Sequence, residues 1–178
     1  IHMVEADLPD MAKRKAISLM AAGRLGQHHQ VTPIDILADH GEFQLEQVID
    51  RVFDNNEPVL VITEGLTAYF NLDTISGFWS RLAAALKNRP GSAYLSETYL
   101  MPNQPLLRGT LKTLGGLLGT ATRAQVSFHF DGDNQAREHL SGCGFDPVTV
   151  HNPESFYGVL PIPESRHDPM IRVIEASC

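Results

Sequence analysis

The feature that most constrains the fold is an unbroken apolar run, PVLVIT, at positions 58–63. A short run without polar alternation is typical of a strand in a parallel sheet that is covered on both faces. Parallel strands cannot be joined by a tight turn and need a crossover, usually a helix. The run therefore predicts an α/β fold, with 58–63 at or next to the centre of the sheet.

Strand and helix patterns alternate along the rest of the chain, which supports the α/β assignment. Asn71 is a suitable N-cap for one of the predicted helices. The predicted strands are 1–8, 31–37, 58–63, 92–99, 125–130, 145–151 and 170–176. The predicted helices are 10–25, 42–53, 72–86 and 133–143. The last two strands predict an antiparallel edge, and a stretch rich in leucine and glycine at about 101–122 predicts a helical insertion.

Composition and charge narrow the class of partner. The 178 residues are 43% hydrophobic and 20% charged, which suits one globular domain with a core. The net charge of -7 argues against nucleic acid and anionic membranes, because both need clustered Lys and Arg. The two cysteines and the lack of a membrane-length apolar run predict a cytoplasmic protein. The expected partner is a small molecule or a protein, and a homodimer is left open.

Three acidic residues follow predicted strands. Asp7 ends the first strand, Asp35 lies in the 31–37 segment, and Glu64 comes directly after 58–63. In an open α/β sheet, ligands bind outside the carboxyl ends of the strands. An acid there can accept both ribose hydroxyls of a nucleoside, or face an adenine amino group or a ligand ammonium. Taken singly, each could equally be a solvated loop carboxylate, so their common position carries the prediction.

These acids lie in segments that resemble a known family. The segment VEADLP at 4–9, with the basic cluster KRK at 13–15, resembles the E-x-D-[LF]-P…K/R stretch of the leucine carboxyl methyltransferase and polyketide O-methyltransferase family. The segment IDI at 34–36 resembles its adenine-side step, and ITEGLTAYF at 62–70 is close to its T-E-G-L-x-x-Y-[LF] signature. Order and spacing agree over essentially the whole chain, and the last motif is the most specific.

The resemblance implies a Rossmann-like class I methyltransferase sheet and S-adenosylmethionine as cofactor. It implies that Asp7 binds the cofactor ribose, that Asp35 and Ile36 lie near the adenine, and that Glu64 lies at the methionine end. Gly65 would be small so that the ligand can approach. The residues expected on the substrate side are Tyr69 and Tyr99.

The sequence departs from the family in one respect. The family has a strand and a glycine-rich loop before the acid-ended strand, and the loop N–H groups cradle the methionine carboxylate. No G-x-G-x-x-G pattern occurs in this sequence. The expectation is therefore a single truncated domain, 1–178, that lacks the first strand and binds the cofactor weakly or not at all.

The predicted activity is O-methyl transfer to a carboxylate or hydroxyl of a small, polyketide-like molecule or of a protein C-terminus. A carboxylate acceptor needs no base, whereas a hydroxyl would benefit from one, and the candidates are His129, His151 and Tyr99. One alternative is a catalytically inactive methyltransferase fold that serves as an interaction module, and another is an α/β protein that binds a dinucleotide. His139 and Cys143 share a helical face without a converging third ligand, so no metal site is predicted.

Overall fold

The computed structural model describes residues 1–54, 56–101, 127–165 and 168–178. The chain divides into two compact units, Ile1–Glu57 (unit 1) and Pro58–Cys178 (unit 2). The helical insertion expected at about 101–122 lies outside the described residues, except for Met101. Among the described residues, no helix is long and apolar enough to cross a membrane.

Unit 1 is a parallel two-stranded sheet with two helices. Its elements are β1 (Met3–Asp7), α1 (Pro9–Ala21), β2 (His29–Pro33) and α2 (Leu45–Val52). The strands pair from Met3 opposite His29 to Asp7 opposite Pro33, so their carboxyl ends lie at the same edge. Pro9 suits the first helical position because it has no N–H to leave unbonded, and Asp10 follows in the positive first turn.

The two boundaries in unit 1 that differ most from the sequence prediction are the carboxyl-terminal ends of α1 and β2. Helix α1 ends at Ala21 rather than at residue 25, and Gly23 follows it with φ of 65°, a conformation that glycine adopts without strain. Strand β2 ends at Pro33 rather than at residue 37. Beyond Pro33, the Asp35 side chain accepts a hydrogen bond from the backbone of Leu37, and this local bond replaces strand pairing with a turn.

The described residues of unit 2 form a four-stranded sheet and two α-helices. Its elements are β3 (Leu60–Thr63), α3 (Leu72–Leu86), β4 (Ala93–Tyr99), α4 (Asp133–Gly142), β5 (Val148–His151) and β6 (Ile171–Ser177). Short 3₁₀ helices cover Thr67–Tyr69 and Pro153–Phe156. The strand order is β3-β4-β6-β5, in which β3 and β4 are parallel and β6 is antiparallel to both of its neighbours.

The core of unit 2 lies between α3 and the sheet. Asn71 caps α3 as predicted, because its side chain accepts a 2.9 Å hydrogen bond from the Thr74 amide. Leu82 and Tyr94 are fully buried, and Phe145 stacks on the Tyr94 ring with centroids 5.7 Å apart. The apolar stripe of α3 that faces this core consists of Ile75, Phe78, Trp79, Leu82 and Leu86.

The structure corrects the predicted position of the apolar run at 58–63. Among the described residues of unit 2, β3 is an outer strand that pairs only with β4. Leu60 and Ile62 are 55% and 64% exposed, so one face of the strand is uncovered. An apolar run indicates that both faces of a strand can be buried. It does not indicate which elements cover those faces. The structure therefore does not place 58–63 at the centre of this sheet, and β3 lies next to the inner strand β4.

The last two strands form an antiparallel pair at one edge of the sheet, as predicted, with β5 outermost and β6 between β4 and β5. A further strand prediction is corrected. In the part of the predicted strand 125–130 that the structure describes, only Phe130 forms a bridge, to Leu100. The end of α4 agrees with the sequence, since Gly144 follows it with φ of 110°.

Candidate functional site

Asp7 lies at the carboxyl end of β1 in a cluster of opposite charges. Its Oδ1 accepts a 2.9 Å hydrogen bond from the Leu8 amide, and its Oδ2 lies 3.4 Å from the Lys15 ammonium. Lys15 also contacts Glu5 Oε2 at 3.2 Å. Lys15 is the last residue of the basic segment 13–15 in α1. The first turns of that helix therefore bring a cation to the strand end that carries the acid.

His29 completes this cluster from the first residue of β2. Its Nε2 lies 2.7 Å from Glu5 Oε1, and its Nδ1 lies 3.0 Å from the Arg24 carbonyl oxygen. Both ring nitrogens therefore face oxygen acceptors. The bond from His29, with that from Lys15, holds the pKa of Glu5 below its ordinary value against partial burial. Burial acts to lower the pKa of Lys15, but its bond to Glu5 and the charges of Glu5 and Asp7 raise it.

Asp35 and Ile36 follow β2 at the same edge as Asp7. The Ile34 amide donates to the Asp7 carbonyl at 2.8 Å, which brings the loop after β2 beside the end of β1. The Asp35 amide donates to the Phe43 carbonyl at 2.8 Å and its side chain caps the turn at Leu37. Asp35 and Ile36 are both half-buried. Unit 1 thus brings together the three residues that the sequence analysis assigned to the nucleoside.

Glu64 and Gly65 form an exposed turn directly after β3. Gly65 has φ of 66°, which an L side chain rarely adopts, and no atom lies within 4 Å of where its Cβ would sit, apart from its chain neighbours. The Gly65 amide donates to Glu97 Oε1 at 2.9 Å. Glu64 is exposed, although it directly follows an apolar strand.

Glu97, near the end of β4, is a partly buried acid of unit 2. Burial raises the pKa of Glu97 and the charge of Glu64 adds to the increase, while hydrogen bonds from the Glu97 and Gly65 amides oppose it. The Thr67 hydroxyl donates to the Glu97 carbonyl at 3.1 Å. Among the residues that the structure describes, neither Glu64 nor Glu97 takes part in an ion pair.

A buried polar network lies beneath the turn and joins the end of β3 to β4. Thr63 Oγ1 lies 2.8 Å from the Tyr94 hydroxyl and donates to Ser96 Oγ at 2.9 Å. The Trp79 indole donates to the same Tyr94 hydroxyl at 3.2 Å. Burial raises the pKa of Tyr94 above its ordinary value. The network fixes the residue that immediately precedes Glu64.

The candidates for the substrate side and for a base occupy different places. His129 donates from Nε2 to the Thr67 carbonyl at 3.0 Å, beside the short helix after the Gly65 turn. His151, on the outer strand β5, donates to Glu175 Oε2 at 2.8 Å. Tyr69 is 63% exposed, and Tyr99 is half-buried at the end of β4. Of the two histidines, only His129 contacts the segment that follows the turn.

The sequence analysis missed Glu97 and did not assign roles to Glu5, Lys15 and His29. The rule that selected Glu64, an acid near the carboxyl end of a predicted parallel strand, also applies to Glu97 in the predicted strand 92–99. Lys15 lay in a basic segment that was noted only as a motif. The bond between Glu5 and His29 joins residues that are 24 positions apart, and no local pattern indicates it.

No protein-family profile and no curated protein matches this chain. Its structure resembles those of solved methyltransferases. The S-adenosylmethionine-dependent methyltransferase SibL, in its apo form, matches with a TM-score of 0.62, 14% identity and coverage of 99% of this chain and 43% of SibL. The mitomycin 7-O-methyltransferase MmcR matches with a TM-score of 0.59, 13% identity and coverage of 99% and 42%. Human N-acetylserotonin methyltransferase in complex with SAM matches with a TM-score of 0.55, 13% identity and coverage of 99% and 40%.

These matches define the class of fold. The chain is a mixed α/β protein that shares the fold of S-adenosylmethionine-dependent O-methyltransferases. It spans about two-fifths of the length of the solved structures that it matches.

Proposed function

We propose that the protein is an S-adenosylmethionine-dependent O-methyltransferase. The observation that carries the proposal is the set of carboxylates at the carboxyl ends of parallel strands, in a fold shared with methyltransferases. Asp7 and Asp35 stand at that edge in unit 1, and Glu64 and Glu97 stand at the ends of β3 and β4 in unit 2. In open α/β sheets this is the edge at which nucleotide ligands bind.

The residues present fit the cofactor. In unit 1, Asp7 would accept the ribose hydroxyls, and Asp35 and Ile36 would contact the adenine. In unit 2, Glu64 would face the positive end of the methionine part, and the open space around Gly65 leaves room for a ligand to approach the backbone. We propose that the chain forms a Rossmann-like class I methyltransferase domain.

Asp7 is already bonded to Lys15, which bears on how it would bind ribose. A carboxylate has about four lone-pair sites on its two oxygens, so one cation and one backbone N–H leave acceptor capacity for hydroxyl groups. The contact with Lys15 restrains the orientation of the carboxylate. Preorganisation of this kind reduces the entropy that is lost when a ligand binds.

When bound, S-adenosylmethionine supplies an electrophilic methyl group on a sulfonium sulfur. The protein has to hold the acceptor oxygen in line with the methyl group and exclude water. A carboxylate acceptor arrives ionised and needs no proton transfer. For a hydroxyl acceptor, we propose that His129 takes the proton at Nδ1, since its Nε2–H is held by the Thr67 carbonyl and fixes the tautomer.

We propose a carboxylate or hydroxyl of a small, polyketide-like molecule as the acceptor. The names of two matched proteins support a small molecule over a protein C-terminus, because one is a mitomycin 7-O-methyltransferase and the other an N-acetylserotonin methyltransferase. Tyr69, which is largely exposed, and Tyr99 are the residues proposed on the acceptor side.

The proposal is tested by calorimetry with S-adenosylhomocysteine on the protein at its natural length. Asp7→Ala should weaken binding by about 1 to 3 kcal/mol, because it removes charge-assisted hydrogen bonds to the ribose. Asp10→Ala is the matched control, since Asp10 is an exposed acid three residues away. Equal affinities of Asp7→Ala and wild type would remove Asp7 from the site. No binding to wild type would contradict the methyltransferase assignment and favour the interaction module.

A further inference from the structure

We propose that Glu97 is the positioning residue of the Glu64–Gly65 turn, so that one acid holds the turn while the neighbouring acid stays available to a ligand. The proposal rests on the proposed function, because it assigns the turn to the cofactor. It adds a residue that the sequence motif at 62–70 does not contain.

Glu97 bonds to the turn at two points. Its side-chain Oε1 accepts the Gly65 amide at 2.9 Å, and its backbone carbonyl accepts the Thr67 hydroxyl at 3.1 Å. These two bonds enclose Leu66. Before the turn, Thr63 is tied to the same strand through Ser96 Oγ at 2.9 Å. Strand β4 therefore holds the chain on both sides of Glu64, while Glu64 itself is exposed.

The conformation of Gly65 explains why such a restraint is needed. Glycine loses more conformational freedom on folding than any other residue, and Gly65 is exposed with φ of 66°. No packing restrains it, because the space around its Cβ position is open. A hydrogen bond to an ionised acceptor is about twice as strong as one between neutral groups, so the Glu97 carboxylate is an effective restraint.

Glu97 differs from Glu64 in its electrostatic environment as well as in its position. Burial and the negative charge of Glu64 raise the pKa of Glu97. Among the residues that the structure describes, the ionisable side chains that interact with it are Glu64 from the turn and Tyr94 from its own strand, and the residue opposite it on β6 is Val173. A ligand cation at Glu64 would relieve this repulsion and strengthen the hydrogen bond that Glu97 accepts from the Gly65 amide.

The first experiment follows the Gly65 amide by NMR, without ligand, in the protein at its natural length. An amide that donates to a carboxylate shifts as that carboxylate titrates, so the Gly65 signal should move with pH in the wild type. Glu97→Gln keeps an acceptor but should abolish the titration, and Glu97→Ala should also increase the hydrogen exchange of Gly65. Glu138→Gln and Glu138→Ala, on the exposed face of α4, are the controls.

The second experiment measures the affinity for S-adenosylhomocysteine of the same variants. Glu97→Ala should weaken binding by about tenfold, the equivalent of one hydrogen bond, and Glu97→Gln should restore most of the affinity. The proposal would be overturned if the Gly65 amide did not titrate in the wild type and did not exchange faster in Glu97→Ala. Unchanged affinity in Glu97→Ala would overturn the link between the turn and the cofactor. No affinity in the wild type would overturn the proposed function instead, while the amide measurement still decides whether Glu97 holds the turn.

Discussion

The two units place acids at the ends of parallel strands in opposite electrostatic settings. In unit 1, Lys15 forms ion pairs with both Glu5 and Asp7, and His29 makes a further hydrogen bond with Glu5. In unit 2, Glu64 and Glu97 repel each other and Glu97 relies on backbone N–H groups. The pKa of Glu5 is accordingly lowered, whereas that of Glu97 is raised. The same position in the fold therefore supports two kinds of acid.

This difference suits different kinds of ligand group. A carboxylate that is held by an ion pair is a good acceptor for neutral hydroxyl groups, because it is already oriented. A pair of carboxylates without a cation among the described residues favours a positively charged group, which relieves their repulsion. We therefore expect substitutions in unit 1 to change stability mainly through local ion pairs. Substitutions in unit 2 should change stability through the buried network and through charge.

The largest effect is expected in the buried network of unit 2. Tyr94→Phe removes the hydroxyl that bonds to Thr63 and the Trp79 indole, and leaves these buried groups with fewer partners. The free energy of unfolding should fall by about 1 to 3 kcal/mol, measured by urea denaturation. Tyr69→Phe, at an exposed tyrosine, is the control and should change stability little. Equal stabilities would mean that the network does not support the turn.

A smaller effect is expected from the cation of unit 1. Lys15→Met leaves Glu5 and Asp7 next to each other without their shared cation. Because these groups are partly exposed, the loss of stability should be about 1 kcal/mol or less, and added salt should reduce it. Lys13→Met, at an exposed position on the same helix, should have no such effect. A loss that is independent of salt would argue against an electrostatic role.

The smallest effect is a difference in the pH dependence of stability. Glu5 has a folded pKa below its ordinary value of 4.5, so the stability that it contributes is present above pH 4.5 and is lost as pH falls through the folded pKa. Glu97 has a folded pKa above 4.5, so its ionisation reduces stability as pH rises from 4.5 through the folded pKa. Glu5→Gln should flatten the acid side of the stability profile, and Glu97→Gln should flatten the region above pH 4.5. Identical profiles for the two variants would contradict the comparison.

Local patterns predicted most elements of the fold but not how they are arranged. The cap at Asn71, the strand that becomes β4 and the stop after α4 follow from residue types within a few positions, and the structure confirms them. The place of a strand in a sheet depends on distant elements. For this reason, the apolar run at 58–63 was predicted at or next to the centre, whereas β3 is an outer strand of its sheet with Leu60 and Ile62 exposed.

The candidate site was predictable to a similar degree. Position at strand ends identified Asp7, Asp35 and Glu64, because that rule depends only on the order of elements along the chain. That rule could not indicate that Lys15 and His29 would bond to the acids of β1, or that Glu64 would be exposed. Those properties arise from contacts between residues that are far apart in sequence, as in the bond from Gly65 to Glu97.

The most direct test of the account is to map S-adenosylhomocysteine onto the protein at its natural length by NMR. We expect saturable chemical-shift changes at the backbone amides of Leu8, Leu37 and Gly65, which adjoin the proposed cofactor residues. Amides of β5, on the far side of its sheet from β3, should not move. Shifts confined to β5, or none at saturating ligand, would contradict the assignment of these strand ends to the cofactor.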